Sequence, residues 1–310
     1  MKKQTTKKLA LAISMALSLS FAGFAYANPV QTADTSVAVQ VEVKQEMPKG
    51  VVNWQKGSET DVQALGTGFG TDGMPAGRAR AMARRAAVVD AQRNLLETIQ
   101  GVQLDSDTLM KDLVIASDEV RTKVSGLIKG ARIISEKANE DGSYEVVMAV
   151  PMYGTTGSIA AAVVPELNKE VAPQAFPAVE APVIPQEEVK AVQSITYTGV
   201  VVDATGLGLE PTFSPAIFDE NGRAIYGMRN IDKDFAISQG MVEYSGDLQQ
   251  ATVNTRAGAN PLVVKALSVK GGANSVNPVN VVISVEDGDK ILLANEVSGM
   301  LSKCAVVFVK

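Results

Sequence analysis

Residues 61–73 read DVQALGTGFGTDG, and they lead through Met74 and Pro75 into AGRARAMARRAAVVDAQRNLLETIQ over residues 76–100. Residues 61–70 have strand character. Pro75 then lies where the first turn of a helix tolerates proline, and the alanine, arginine, leucine and methionine residues after it are good helix formers. The stretch therefore predicts a strand over 61–70 and a long helix over 77–100, joined by a glycine-rich turn.

The apolar residues of the long helix recur at helical spacing, so we expect one face of this helix to be buried. That face is predicted to carry Met82, Ala86, Val89 and Leu96, with Val88, Ala91, Leu95 and Ile99 beside them. A second helix is predicted to begin at Ser117-Asp118-Glu119, because serine before two acidic residues has the chemistry of a helix N-cap. It is expected to end near Gly126 to Gly130.

Two strands are predicted after the second helix, over residues 131–137 and 143–152. The turn between them, Asn139-Glu140-Asp141-Gly142, is typical of a hairpin. Residues 155–164 are expected to form a short closing helix. The first domain, residues 51–164, therefore has the predicted order strand, helix, helix, strand, strand.

Five prolines within residues 165–192 predict a linker, because proline at this density stiffens and extends a chain. Residues 193–310 are predicted to be a second α/β domain. Its expected strands are 194–203, the hairpin 215–218 with 223–226, 261–269, 279–285 and 305–309, and its expected helices are 232–239 and 287–302. The fold class is therefore α+β, with two small α/β domains joined by a proline-rich linker.

The first 27 residues have the three zones of a secretory signal peptide. Lys2, Lys3, Lys7 and Lys8 precede an apolar run, and Ala25-Tyr26-Ala27 is a cleavage site. We expect residues 28–50 to be a flexible N-terminus after cleavage, with no transmembrane anchor. Cys304 is the one cysteine and lies far from the leader, so no cysteine stands directly after the cleavage site to carry a lipid. The protein is therefore expected in the periplasm or cell envelope.

The amino-acid composition excludes several kinds of catalytic and metal site. The sequence contains no histidine and one cysteine, which excludes histidine-based triads and the usual nitrogen and sulfur zinc sites. The formal net charge is −5, and removal of the four leader lysines brings it to −9. Such an acidic chain is a poor candidate for nucleic-acid binding. We expect no cofactor, no metal and no catalytic residue.

The glycine-rich turn and the start of the long helix form the candidate site. Gly68, Gly70 and Gly73 match a dinucleotide-binding pattern, but the helix after them leads to another helix and not to the strand that a Rossmann unit requires. Four arginines crowd the helix start, where an anion is already favoured: Arg78, Arg80, Arg84 and Arg85. They are candidates for binding a phosphate, a sulfated sugar or an acidic protein surface, or they form a solvated face paired with Asp90.

Other polar residues have weaker claims to a function. The tetrads Asn139–Gly142 and Asp219–Gly222 fit turns, because the calcium-loop spacing fails after Asp219. Asp232, Asp234, Glu243 and Asp247 are candidates for paired carboxylates of glycosidase chemistry. Cys304 is expected to be a small buried apolar residue.

The first domain also resembles a known family. The resemblance is carried by Gly68-Phe69-Gly70, by Arg84-Arg85-Ala86-Ala87 and Asp90–Leu95 in the long helix, by Ile99-Gln100-Gly101-Val102, by Gly126–Gly130 and by the strand from Tyr144 to Val150. Over about residues 60–153 the chain is similar to the LPP20 lipoprotein family of bacterial envelope proteins. The resemblance implies helices packed on one face of a small sheet and a role without catalysis.

Three functions are therefore open on the sequence. The first is a non-catalytic envelope protein that binds other envelope proteins or assembles with them. The second is a periplasmic binding protein for an anionic ligand, seated between Gly68 and Arg85. The third is a polysaccharide hydrolase that uses carboxylates alone.

Overall fold

The computed structural model describes residues 48–54, 60–167, 169, 172–179 and 185–310. The predicted leader lies outside the described residues, as does the predicted flexible N-terminus apart from residues 48–50. The N-terminal half contains β1 (Gly50–Val52), β2 (Asp61–Phe69), α1 (Ala76–Gln100), α2 (Met110–Ala116), α3 (Asp118–Lys129), β3 (Arg132–Ala138), β4 (Ser143–Pro151) and α4 (Ile159–Leu167). Its strands form one antiparallel sheet in the order β1-β2-β4-β3.

The predicted elements of this half are present, and two more accompany them. Ser117 caps α3 by accepting a hydrogen bond from the Val120 amide, and the 139–142 turn joins β3 to β4 as a hairpin. Strand β1 and helix α2 were not predicted. The α+β class is confirmed.

Helix α1 lies directly on the backbone of β2. A Cβ atom placed on Gly66 would lie 2.1 Å from the Ala91 nitrogen and 2.2 Å from the Ala87 carbonyl oxygen. A Cβ atom on Gly68 would lie 2.1 Å from the Ala83 oxygen. Real Cβ atoms do not approach backbone this closely, so only glycine allows this packing.

The buried face of α1 differs from the predicted one. Its buried residues are Ala83, Ala87, Ala91, Asn94, Leu95 and Ile99. Met82 and Val89 are exposed, 39% and 66% respectively, and Ala86 is exposed as well. The prediction was wrong for these three because it ranked residues by hydrophobicity, whereas close approach to β2 selects the alanines.

The C-terminal half has two sheets. Its elements are α5 (Gln186–Ser194), β5 (Gly199–Asp203), β6 (Ile217–Asp219), β7 (Ala224–Tyr226), α6 (Lys233–Gln239), β8 (Glu243–Ser245), α7 (Leu248–Thr252), β9 (Pro261–Lys265), β10 (Ser268–Lys270), β11 (Asn280–Ile283), α8 (Val285–Ser298) and β12 (Val306–Val309). A parallel sheet has the order β8-β12-β5-β9, and a mixed sheet has the order β10-β11-β6-β7. Both faces of β5 and β12 are buried, as is usual in parallel sheets.

Two predictions in this half need correction, and two elements were not predicted. The predicted strand 261–269 is two strands, β9 and β10, which belong to different sheets. The predicted helix 287–302 is α8, which ends at Ser298, so Met300 and Leu301 lie beyond it. Helix α7 and strand β8 were not predicted.

The two halves pack against each other. Phe213 of the C-terminal half is buried in the core of the N-terminal half, where its ring lies 5.6 Å from that of Tyr153. The backbone amide of Phe213 donates a hydrogen bond to the Gln103 carbonyl at 3.0 Å, and that of Ser214 donates to the Leu104 carbonyl at 2.7 Å. Trp54 contacts both cores.

The described residues of the proline-rich segment do not hold the halves apart. Residues 172–179 lie on the C-terminal half, where Phe176 and Val179 pack against its core. Asn230 donates to the Ala175 carbonyl at 3.1 Å. The predicted linker also contains most of α5, which packs on α8. The expectation of an extended spacer is therefore wrong for these described residues.

We predict that Gly66→Ala lowers the free energy of unfolding by about 3 kcal/mol, because the added methyl group would collide with the backbone of α1. Gly126→Ala is the matched control. The Cβ position of Gly126 meets no atom within 4 Å, so alanine there should stabilise α3 by about 1 kcal/mol. Urea unfolding followed by circular dichroism measures both, and equal effects of the two variants would contradict the packing argument.

We also predict that Phe213→Ala lowers the free energy of unfolding by about 3–5 kcal/mol. Phe69 is 66% exposed, so Phe69→Ala should change the free energy of unfolding by less than about 0.5 kcal/mol. Trp54 fluorescence during urea unfolding reports on the contact between the halves. A Trp54 transition that is unmoved by Phe213→Ala would show that this contact contributes little to stability.

Candidate functional site

The start of α1 brings the four predicted arginines together. Pro75 occupies the N-cap position, and its carbonyl accepts from the Arg78 and Ala79 amides at 2.9 and 3.0 Å. The first turn contains no acidic side chain. The positive charge of Arg78 and Arg80 therefore adds to the positive end of the helix dipole, and this end of α1 favours a negative partner.

Two of the four arginines are held against the sheet. The Arg84 Nε lies 2.7 Å from Glu136 Oε2 on β3, and this hydrogen bond raises the pKa of Arg84. The Arg80 guanidinium carbon lies 6.0 Å from the centre of the Tyr144 ring on β4, within range of a cation–π contact. Both side chains are thereby oriented across the end of the sheet.

The other two arginines, Arg78 and Arg85, are exposed, and neither has a partner among the described residues. Asp90, which the sequence offered as a partner for the arginines, instead accepts from the Thr67 amide at 3.0 Å. Within the described ranges, the salt bridge of Arg84 with Glu136 is therefore the one ion pair of the arginine face, and Arg78 and Arg85 are exposed to solvent.

The structure does not bring the predicted glycines to the same surface. Gly68 is buried beneath α1, and a Cβ atom on Gly70 would lie 2.7 Å from the Ala79 carbonyl oxygen. These glycines allow a helix to pack on a strand. They do not form a loop around a phosphate.

Three of the four carboxylates considered for glycosidase chemistry have structural roles. Asp232 and Asp247 are the N-caps of α6 and α7, where they accept backbone amides. Glu243 accepts from Asn254 at 2.7 Å and pairs with Arg256 at 3.4 Å. Within the described part of the chain, no group of three or more acidic or cysteine side chains is placed to hold a metal ion.

The sequence analysis missed a buried ionic cluster in the C-terminal half. Arg223 pairs with Asp219 at 2.9 Å and with Asp289 at 2.7 Å, and the side chains of both acids are fully buried. The same guanidinium donates to the Ala178 carbonyl at 3.1 Å and so fixes the 172–179 segment. Asp289 lies 66 residues from Arg223, so only the tertiary fold reveals the cluster.

Among the pockets that the described residues line are three that the sequence did not predict. One of about 570 Å³ lies between α3, α4 and the ends of β3 and β4. A second of about 590 Å³ lies where residues 105–106 and 174–177 approach the β6–β7 hairpin. A third of about 320 Å³ contains Tyr153 and Arg256. None of the three is lined by a residue from Gly68 to Arg85.

Cys304 is buried, as predicted. It lies between α8 and β12 with a φ of 55°, in the left-handed region. Burial raises the pKa of its thiol from 9.0 to about 11. The thiol is therefore neutral near pH 7, and a neutral thiol is a poor nucleophile.

Two protein-family models match the chain, one in each half. Residues 53–151 match the model of the LPP20 lipoprotein family, which confirms the resemblance found in the sequence. Residues 199–310 match the model described as Treponema pallidum Tp0624, second domain. No curated protein matched the chain. Among the helices of the described residues, none has the length and apolar character needed to cross a bilayer.

The Cys304 thiol should make stability sensitive to alkaline pH. Folding raises the pKa of the thiol. The contribution of the thiol to the free energy of unfolding is therefore intact below pH 9 and is lost as pH rises from 9 towards 11. Between pH 8 and 9.5 the free energy of unfolding of the unaltered protein should fall by about 1 kcal/mol more than that of the Cys304→Ala variant. Urea unfolding at each pH measures this difference. The buried tyrosines are common to both proteins, so identical pH profiles would contradict the assignment to the thiol.

Proposed function

We propose that this protein is a non-catalytic bacterial envelope protein, exported by its leader, that binds other envelope proteins. The arginine-bearing start of α1 is its contact surface, defined here as Arg78, Arg80, Arg84 and Arg85. Two findings support the location: the three-zone leader in the sequence and the match of residues 53–151 to a family described as lipoproteins.

One observation carries the binding role. Arg78 and Arg85 are exposed without partners among the described residues, on a helix that cannot shift because its alanines contact the backbone of β2. The backbone of α1, which carries these cations, therefore loses little freedom on binding. Arginine pairs with carboxylates through two parallel hydrogen bonds. The expected partner is therefore an envelope protein with an acidic surface.

The other two candidate functions have less support. A binding site for a small anion would need the glycine turn to face the arginines, whereas Gly68 lies under α1. A carboxylate hydrolase would need two free acids in a cleft. Of the candidate acids, Asp232 and Asp247 cap helices and Glu243 is paired with Arg256.

Cross-linking in intact cells, followed by identification of the partner, tests the proposal. We expect Arg78→Glu combined with Arg85→Glu to reduce recovery of the partner about tenfold, because two attractive charges become repulsive. Binding of the isolated partner should also weaken as salt is raised.

The control combines Arg93→Glu with Lys111→Glu, which makes the same change in net charge at exposed positions outside the contact surface. This control should leave recovery unchanged. Equal recovery from the two double variants would overturn the assignment of the surface. Recovery of monomer alone from the unaltered protein would overturn the binding role.

A further inference from the structure

A groove of about 570 Å³ separates the C-terminal end of α3 from the N-terminal end of α4. Most of its lining residues are small or apolar: Gly126, Leu127, Gly130, Ala131, Ala149, Val150, Pro151, Gly157, Ser158, Ala161 and Ala162. This volume lies within the range of about 300–1,000 Å³ that is usual for small-molecule sites. The groove uses none of the residues of the arginine contact surface.

Glycine keeps this groove open. Gly126 lies inside α3, and a Cβ atom there would meet nothing within 4 Å. Alanine at such a position favours a helix more than glycine does. Gly157, on the opposite side, also has no neighbour within 4 Å of its Cβ position, and its φ of 68° requires a left-handed turn. The helix therefore gives up stability at Gly126 without any packing contact in return.

The floor of the groove is apolar, whereas its rim is basic. Val150 and Ala162 belong to the core of the N-terminal half, so the floor is a rigid part of the domain. Lys123 and Arg132 are the two charged residues of the lining. Lys123 is 2.7 Å from Glu119, but Arg132 is exposed and has no partner among the described residues. The rim therefore presents an uncompensated positive charge beside an apolar floor.

From this arrangement we infer that the groove binds a fatty acid. The acyl chain lies along the floor between α3 and α4, and the carboxylate pairs with the Arg132 guanidinium. Apolar contact supplies binding in proportion to the buried chain, and the forked guanidinium matches a carboxylate. A single chain fits the volume of one groove, which favours a free fatty acid over a phospholipid in a bilayer.

Calorimetric titration of the full chain with dodecanoate tests the inference. Gly126→Leu should weaken binding at least about tenfold by filling the groove. Gly126→Ala tests helix propensity with little added volume, and its affinity should stay within about threefold of the unaltered protein. Since leucine is also a good helix former, Gly126→Leu is expected to fold.

The charge at the rim is tested separately. Arg132→Gln should weaken dodecanoate binding about fivefold and leave dodecanol binding unchanged, because dodecanol has no carboxylate. Lys137→Gln, farther along β3, is the control and should alter neither. The combination of groove-dependent and charge-dependent binding supports the inference.

Several results would overturn it. The first is that the unaltered protein does not bind dodecanoate. The second is that Gly126→Leu binds dodecanoate as tightly as the unaltered protein does. The third is that Arg132→Gln weakens the binding of dodecanol as much as that of dodecanoate. Binding to phosphatidylglycerol vesicles without binding of free dodecanoate would identify a membrane surface instead. A dimer that Gly126→Leu disrupts, in a protein that binds no dodecanoate, would assign the groove to helix packing between copies.

Discussion

The contact of α1 with the backbone of β2 is the constraint on which the N-terminal half depends. Gly66 and Gly68 have no side chains, and the backbone of α1 at Ala83, Ala87 and Ala91 lies directly against them. At this separation there is no room for the helix to rotate or slide, because any turn would bring a longer side chain against the strand. The same contact fixes the direction in which the arginines at the start of α1 project.

Packing between the halves extends this rigidity to the rest of the described chain. Phe213 enters the N-terminal core, and Trp54 contacts both cores. Residues 172–179 of the proline-rich segment lie on the C-terminal half and add hydrogen bonds to it, where a free spacer would have added flexibility. Surfaces on the two halves are therefore held at one spacing, and a partner that contacts both would not have to order a linker on binding.

Local chemistry explains what the sequence predicted well. The Ser117 cap and the 139–142 hairpin turn are short-range signals, and each element they predict is present. The buried face of α1 could not be predicted in this way, since the depth of its packing depends on glycines in another element. The Arg223 cluster and the groove beside Gly126 depend on residues far apart in sequence, so only the fold assembles them.

Two pairs of arginines differ in their burial, and this difference is relevant to function. Arg223 and Arg256 are nearly buried, and their donors bind carboxylates and backbone carbonyls. Such residues link segments of the fold, and a buried guanidinium without partners would be strongly destabilising. Exposed Arg78 and Arg85 contribute nothing comparable to folding, because surface charges stabilise little. In the proposed function, these two arginines are the part of α1 that contacts another molecule, and the packing of α1 on the backbone of β2 holds the helix in place.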